Sequence, residues 1–216
     1  MGIRLLVLIP MLLGLAGCSR AYYGTMEAFG KHKRDILVDR VKDARDSQDE
    51  AKQQFQTALE QFRSVVNFQG GDLEKQYNKL SDTLDRSESK ADEVRERISS
   101  VEDVSEAVFA EWRAELKEYS SESLRRASQR KYDQTRARYK ELITAMKRAE
   151  SRLEPALVPL RDQVLFLKHN LNARAIAGLS SELGEVEMNV DELVRQMEAA
   201  IAEADSFIAT LEEEEP

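Results

Sequence analysis

The chain has one cysteine, Cys18, in 216 residues. No intramolecular disulfide can form, so the fold must be held by packing. Proline is almost as scarce: between residue 11 and the last position it occurs only at Pro155 and Pro159. Glycines number nine and aromatic residues make up 6%. A sheet protein needs frequent turn residues and β-favouring aromatics, so this scarcity argues against one and favours long helices. The two histidines, His32 and His169, lie far apart, and no short-spaced set of about four ligands exists for zinc. No G-x-x-x-x-G-K-[ST] or G-x-G-x-x-G loop occurs, and no serine stands in a G-x-S-x-G elbow. Carboxylates are plentiful, but on acid-rich helices a spacing of three or four marks a solvated or ion-paired face. Neither catalytic residues nor metal ligands are expected.

Charge and one short apolar run are what the chain does have. Arg4, the apolar stretch Leu5 to Leu15 and the small residues after it have the three parts of a secretory signal. The stretch is too short for a bilayer span of about 20 apolar residues, and Pro10 interrupts it. A plain signal-peptidase site would want a small residue where Leu15 stands. Leu15-Ala16-Gly17-Cys18 instead resembles the lipobox of bacterial lipoproteins, which implies cleavage between Gly17 and Cys18 and a diacylglycerol and an N-acyl chain on Cys18. No other cofactor is expected. One acyl chain binds only marginally, so three would hold the protein permanently. Ser19 in place of Asp favours, by the same resemblance, the outer membrane facing the periplasm, with the inner membrane as the alternative.

Residues 1–17 are therefore expected to be a signal peptide and 18–25 a lipidated tether. Tyr22, Tyr23, Lys31, Lys33 and Arg34 are candidate membrane-surface contacts, with rings at the headgroup level and cations on phosphates. Residues 26–211 read as one helical domain. Ala44, Gln48, Ala51, Phe55, Ala58, Phe62 and Val65 follow alternating steps of four and three, a heptad seam with a polar intruder at Gln48. Gly70-Gly71 permit a left-handed turn and Asp72 can cap the next helix. The seam then runs from Leu73 to Tyr119, making 26–119 an antiparallel hairpin.

Phase is lost at Ser120 to Ser123, where a turn or sharp kink is expected. A second hairpin, 124–211, would hold a helix from Leu124 to Leu153 with Tyr132, Thr135, Tyr139, Leu142, Met146 and Ala149 on its seam. Pro155 and Pro159 suit the first turn of a new helix, so the chain is expected to turn near Glu154. The last helix, 157–211, would be apolar on several sides between Val164 and Ala177, hence central, with any bend at Gly178 or Gly184. The clean seam returns from Val186 to Leu211, and residues 212–216 form an acidic tail. The fold class is thus all-α: an elongated antiparallel bundle with coiled-coil-like packing and three to four long helices.

Lys168, His169, Asn172 and Arg174 form the most distinctive polar group, embedded in the apolar stretch. On a continuous helix His169 and Asn172 share a face, giving either a buried hydrogen-bond network that fixes register or a ligand or partner site. Charge is unevenly spread within a formal net of −8. The third helix is basic, including Arg125, Arg126, Arg130 and Lys131, whereas beyond Leu179 Arg195 is the only cation among twelve acids. The acidic balance argues against general binding to nucleic acid or to an anionic membrane, and export makes nucleic acid a still poorer partner.

The whole chain, and Leu165 to Ile176 (LFLKHNLNARAI) most specifically, resembles an uncharacterised family of proteobacterial helical lipoproteins carrying a domain of unknown function. The resemblance implies a helical fold and an envelope location, and no activity. The expected function is a non-catalytic, lipid-anchored scaffold or adaptor, meeting an envelope protein or a second copy through helix faces. The alternative is a binding module for a lipid or an anionic envelope glycan.

Overall fold

The computed structural model describes residues 33–68 and 70–212, without the side chains of 173–175. The signal, Gly17, Cys18, Tyr22, Tyr23, Lys31 and most of the acidic tail lie outside the described residues.

Five helices follow one another: α1 Lys33–Val66, α2 Leu73–Glu115, α3 Glu122–Glu150, α4 Leu153–His169 and α5 Ala173–Glu212. They make four rods, because α3 and α4 continue each other. Ser151 and Arg152, between them, both keep right-handed helical backbone. The Arg152 amide bonds the Ala149 carbonyl (3.0 Å) and the Ala156 amide bonds the Arg152 carbonyl (3.2 Å). α1 packs on α2 and α5, and both α3 and α4 pack on α2 and α5. This is an all-α, antiparallel four-rod bundle.

All seven α1 seam positions from Ala44 to Val65 are buried, as are the eight from Val186 to Leu211. Residues at heptad spacing stack on one face, and each rod buries that face against two neighbours. Gln48 lies fully buried in the seam, and neither end of its amide has a hydrogen-bond partner among the described residues. Two other core hydroxyls turn back on their own helix: that of Ser87 donates to the Thr83 carbonyl (2.9 Å) and that of Thr83 to the Lys79 carbonyl (2.7 Å).

The chain does not turn near Glu154. Pro155 is exposed and falls in the first turn of α4, where its missing N–H matters little. Leu153, Ala156, Leu160, Gln163 and Leu167 are all buried and carry the α3 seam past both prolines. The turn lies instead at Asn170 to Asn172, inside the segment expected to be continuous helix. The Asn170 side chain donates to the Phe166 carbonyl (2.9 Å), its amide bonds the Leu167 carbonyl (3.0 Å), and α4 stops there. Gly178 and Gly184, the expected bends, lie inside α5.

The other two turns fall close to their expected places. Gly70 (φ 140°) and Gly71 (φ 120°) use backbone that side-chain-bearing residues avoid, and the Asp72 carboxylate accepts from the Lys75 amide (3.0 Å). α2 ends at Glu115, four residues before the expected limit, and Tyr119 is exposed. Ser121 caps α3, its hydroxyl accepting from the Leu124 amide (3.4 Å).

Candidate functional site

The rods give the bundle two unlike ends. One is the tip, the end that holds both the α1–α2 and the α4–α5 turn. The other is the elbow, where α1 begins, α5 ends and residues 116–121 join α2 to α3. Lys33, Glu111, Thr135 and Leu211 line one cavity and so mark a common level there. α3 starts at Glu122, 13 residues before Thr135, and so projects roughly 20 Å past that level.

At the tip, Lys168, His169 and Asn172 are exposed. The buried network expected from His169 and Asn172 does not form, because the helix ends at His169 and the two residues no longer share a helical face. Lys168 and His169 stand in the last turn of α4, where the Lys168 ammonium suits the helix dipole. Arg174 begins α5, its side chain outside the described residues. The segment is apolar on several sides, as the sequence says, but only one side is covered. Leu165, Phe166 and Leu171 are 59%, 43% and 41% exposed. A Cβ built on Gly178 of α5 would stand 3.5 Å from the Phe166 ring, an ordinary van der Waals contact, so the ring lies beside α5 there without needing a glycine.

At the elbow, Lys33 and Arg34 turn into the bundle end. Lys33 Nζ donates to Glu111 Oε1 (2.7 Å), and Arg34 Nη2 donates to the Leu211 carbonyl (2.7 Å). They rim a cavity of about 550 Å³ whose walls include Leu37, Val108, Trp112 and Leu211. Thr135 also lines it, and its buried hydroxyl has no partner among the described residues. Behind lies an aromatic cluster: Phe109 and Trp112 each meet the Tyr132 ring edge-on at 5.7 Å between centroids. Trp112 Nε1 donates to Ser128 Oγ (2.9 Å). Burial pushes the neighbouring Tyr139 phenol above its ordinary pKa, the Ser105 hydroxyl opposing in part.

On the outer side of the elbow, a groove of about 790 Å³ runs between the end of α2 and the start of α3. Arg113 and Lys117 line it from one side, Arg125 and Arg126 from the other, over a floor of Ala110 and Ala114. The basic third helix points to Arg125 and Arg126. Sequence reading missed Arg113 and Lys117 because they precede the turn, and only the fold of 116–121 brings the two pairs together.

Among the described residues no group of three or more His, Cys, Asp or Glu could hold a metal ion. Nor is any described helix long and apolar enough to cross a membrane. No curated protein matches the chain. A family model described as a protein of unknown function, DUF2959, matches residues 22–211, and the chain belongs to that family.

Proposed function

We propose that the protein is a lipid-anchored helical scaffold or adaptor of the bacterial cell envelope, held in the membrane through Cys18, facing the periplasm and performing no catalysis. The observation that carries this reading is the separation of the ends. The chain enters at the elbow, and Leu165, Phe166 and Leu171 stand exposed at the tip, a helix length away. The 43 residues of α2 span about 65 Å at 1.5 Å per residue. An anchored rod with apolar side chains at its far end suits contact with an envelope protein or a second copy of itself.

A photo-crosslinking residue at Leu165 should trap a reproducible adduct in cells, and Leu171→Asp should remove it. An adduct no more frequent than one from the exposed α1 position Thr57 would overturn the adaptor reading. The anchor is tested separately: Cys18→Ala should abolish fatty-acid labelling.

A second reading, a binding module for a lipid or an anionic glycan, is favoured by the elbow cavity, apolar-walled with the unpartnered Thr135 hydroxyl inside. Native mass spectrometry of the purified protein would show a co-purifying small molecule if it holds.

A further inference from the structure

We infer that the α2–α3 elbow is a docking surface for an anionic phospholipid bilayer, with headgroup phosphates seated in the groove of Arg113, Lys117, Arg125 and Arg126. The inference rests on the proposed anchor only for which membrane is near. The groove itself is read from the fold.

Charge is the first argument. Residues 113–131 carry six cations, Arg113, Lys117, Arg125, Arg126, Arg130 and Lys131, against the acids Glu115, Glu118 and Glu122, in a chain of net −8. Four of the cations line one groove, to which no carboxylate contributes among the described residues. Glu122 is shared by two of them, Arg125 Nη2 at 2.5 Å and Arg126 Nη1 at 3.2 Å, with side chains 51% and 62% exposed. Exposed pairs of this kind are weak, and one carboxylate cannot neutralise two guanidiniums. Guanidinium forks suit phosphate oxygens.

Position is the second argument. The elbow projects past the level at which α1 begins, so it is the part of the bundle facing whatever holds the N-terminal segment. From Cys18 to Lys33 the chain can reach at most about 50 Å, which keeps the elbow within range of the surface where an anchor would sit. The third argument is the composition of the turn. Tyr119 is 42% and Leu124 58% exposed beside the groove, an amphipathic ring and an apolar side chain of the kind that enters the headgroup boundary while cations meet phosphate.

The test tethers the chain independently of acylation. The chain from residue 18, with Cys18→Ser and an N-terminal hexahistidine, is held on vesicles by a nickel-chelating lipid. A fluorophore is placed on Ser120→Cys or, at the tip, on Asn172→Cys. Spin-labelled lipid should quench the Ser120→Cys probe on vesicles containing roughly one third phosphatidylglycerol but not on phosphatidylcholine, and high salt should reverse it. The Asn172→Cys probe should respond on neither. Arg125→Glu with Arg126→Glu should remove the quenching while helical circular dichroism and the thermal midpoint stay unchanged. If that variant unfolds, Arg125→Gln with Arg126→Gln is read in its place. Equal quenching on both vesicles, or quenching indifferent to salt and to the substitutions, would overturn the inference. Because the tether is chelated, a failure of Cys18 acylation would leave this result untouched.

Discussion

The elbow and the tip are both places where long helices stop, yet they are finished differently. At the elbow Phe109, Leu116 and Tyr132 are buried in a small cluster of their own, with Trp112 and Tyr139 packed against it. That cluster lies beyond the main core, and the excess of cations is on its outer side. At the tip the chain reverses twice in a few residues, through Gly70-Gly71 and through Asn170 to Asn172, and apolar side chains near the second turn point into solvent. A heptad seam covers one face only. Where a helix is apolar on a second face, something beyond the seam must cover it, and the elbow supplies that cover from its own aromatics while the tip does not.

The sharpest way to break this contrast is to truncate one phenylalanine at each end. Phe109 is 6% exposed and packs edge-on against Tyr132, so Phe109→Ala should cost about 3–5 kcal/mol. Phe166, 43% exposed, should lose only about 1 kcal/mol in Phe166→Ala. Urea denaturation followed by helical circular dichroism measures both. Equal costs would mean that the two ends are packed alike.

The glycines give a smaller contrast of opposite sign. Gly71 holds φ 120° in the first tip turn, which a side chain resists, so Gly71→Ala should destabilise by about 1–3 kcal/mol. Gly184 is inside α5 and a Cβ there meets nothing within 4 Å, so Gly184→Ala should stabilise by about 0.5–1 kcal/mol. Thermal midpoints of the two variants should move in opposite directions. A midpoint lowered by Gly184→Ala would indicate that α5 needs a bend there after all.

Much of the bundle was legible because a four-three repeat is a direct image of a buried helical face. The repeat located the α1 and α2 seams, and its loss after residue 119 located the elbow turn. The misplaced second hairpin shows which signal should have won. Steps of three and four run without a gap from Tyr132 through Met146, Leu153 and Leu160 to Leu167, so the packing requirement crosses Pro155 and Pro159 undisturbed. A proline ends a helix only where its lost hydrogen bond or its kink conflicts with packing, and Pro155 faces outward. The true turn, Asn170 to Asn172, contains neither glycine nor proline. Leu171 and Ala175 prolong the four-residue steps past Leu167, so periodicity carried no sign of it. The reading of His169 and Asn172 as one face failed with it, since a three-residue spacing brings side chains together only while the helix lasts. The elbow groove was half legible: a basic run is visible in one dimension, whereas its convergence with Arg113 and Lys117 depends on the turn.

The smallest expected effect lies midway between the ends and separates their contrast from ion pairing along the shaft. Lys90 Nζ lies between Glu50 Oε2 at 2.5 Å and Glu93 Oε2 at 2.9 Å, all three side chains partly exposed. The Glu93 carboxyl is held below its ordinary pKa first by the hydrogen bond from Lys90, against the opposing effect of burial. A carboxyl depressed in the folded state stabilises the fold above its unfolded pKa and loses that contribution as pH falls through the folded value. Lys90→Met should therefore cost about 0.5 kcal/mol at pH 7, within the range of exposed pairs. The difference from the parent chain should close as the solution is acidified below the ordinary carboxylate range. Urea midpoints at neutral and acid pH measure this. A gap that persists in acid would assign the effect of Lys90 to packing of its aliphatic stem, because by then the carboxylates are protonated. Amide exchange at the elbow and the tip should not change in this variant, since the substituted residue touches neither end.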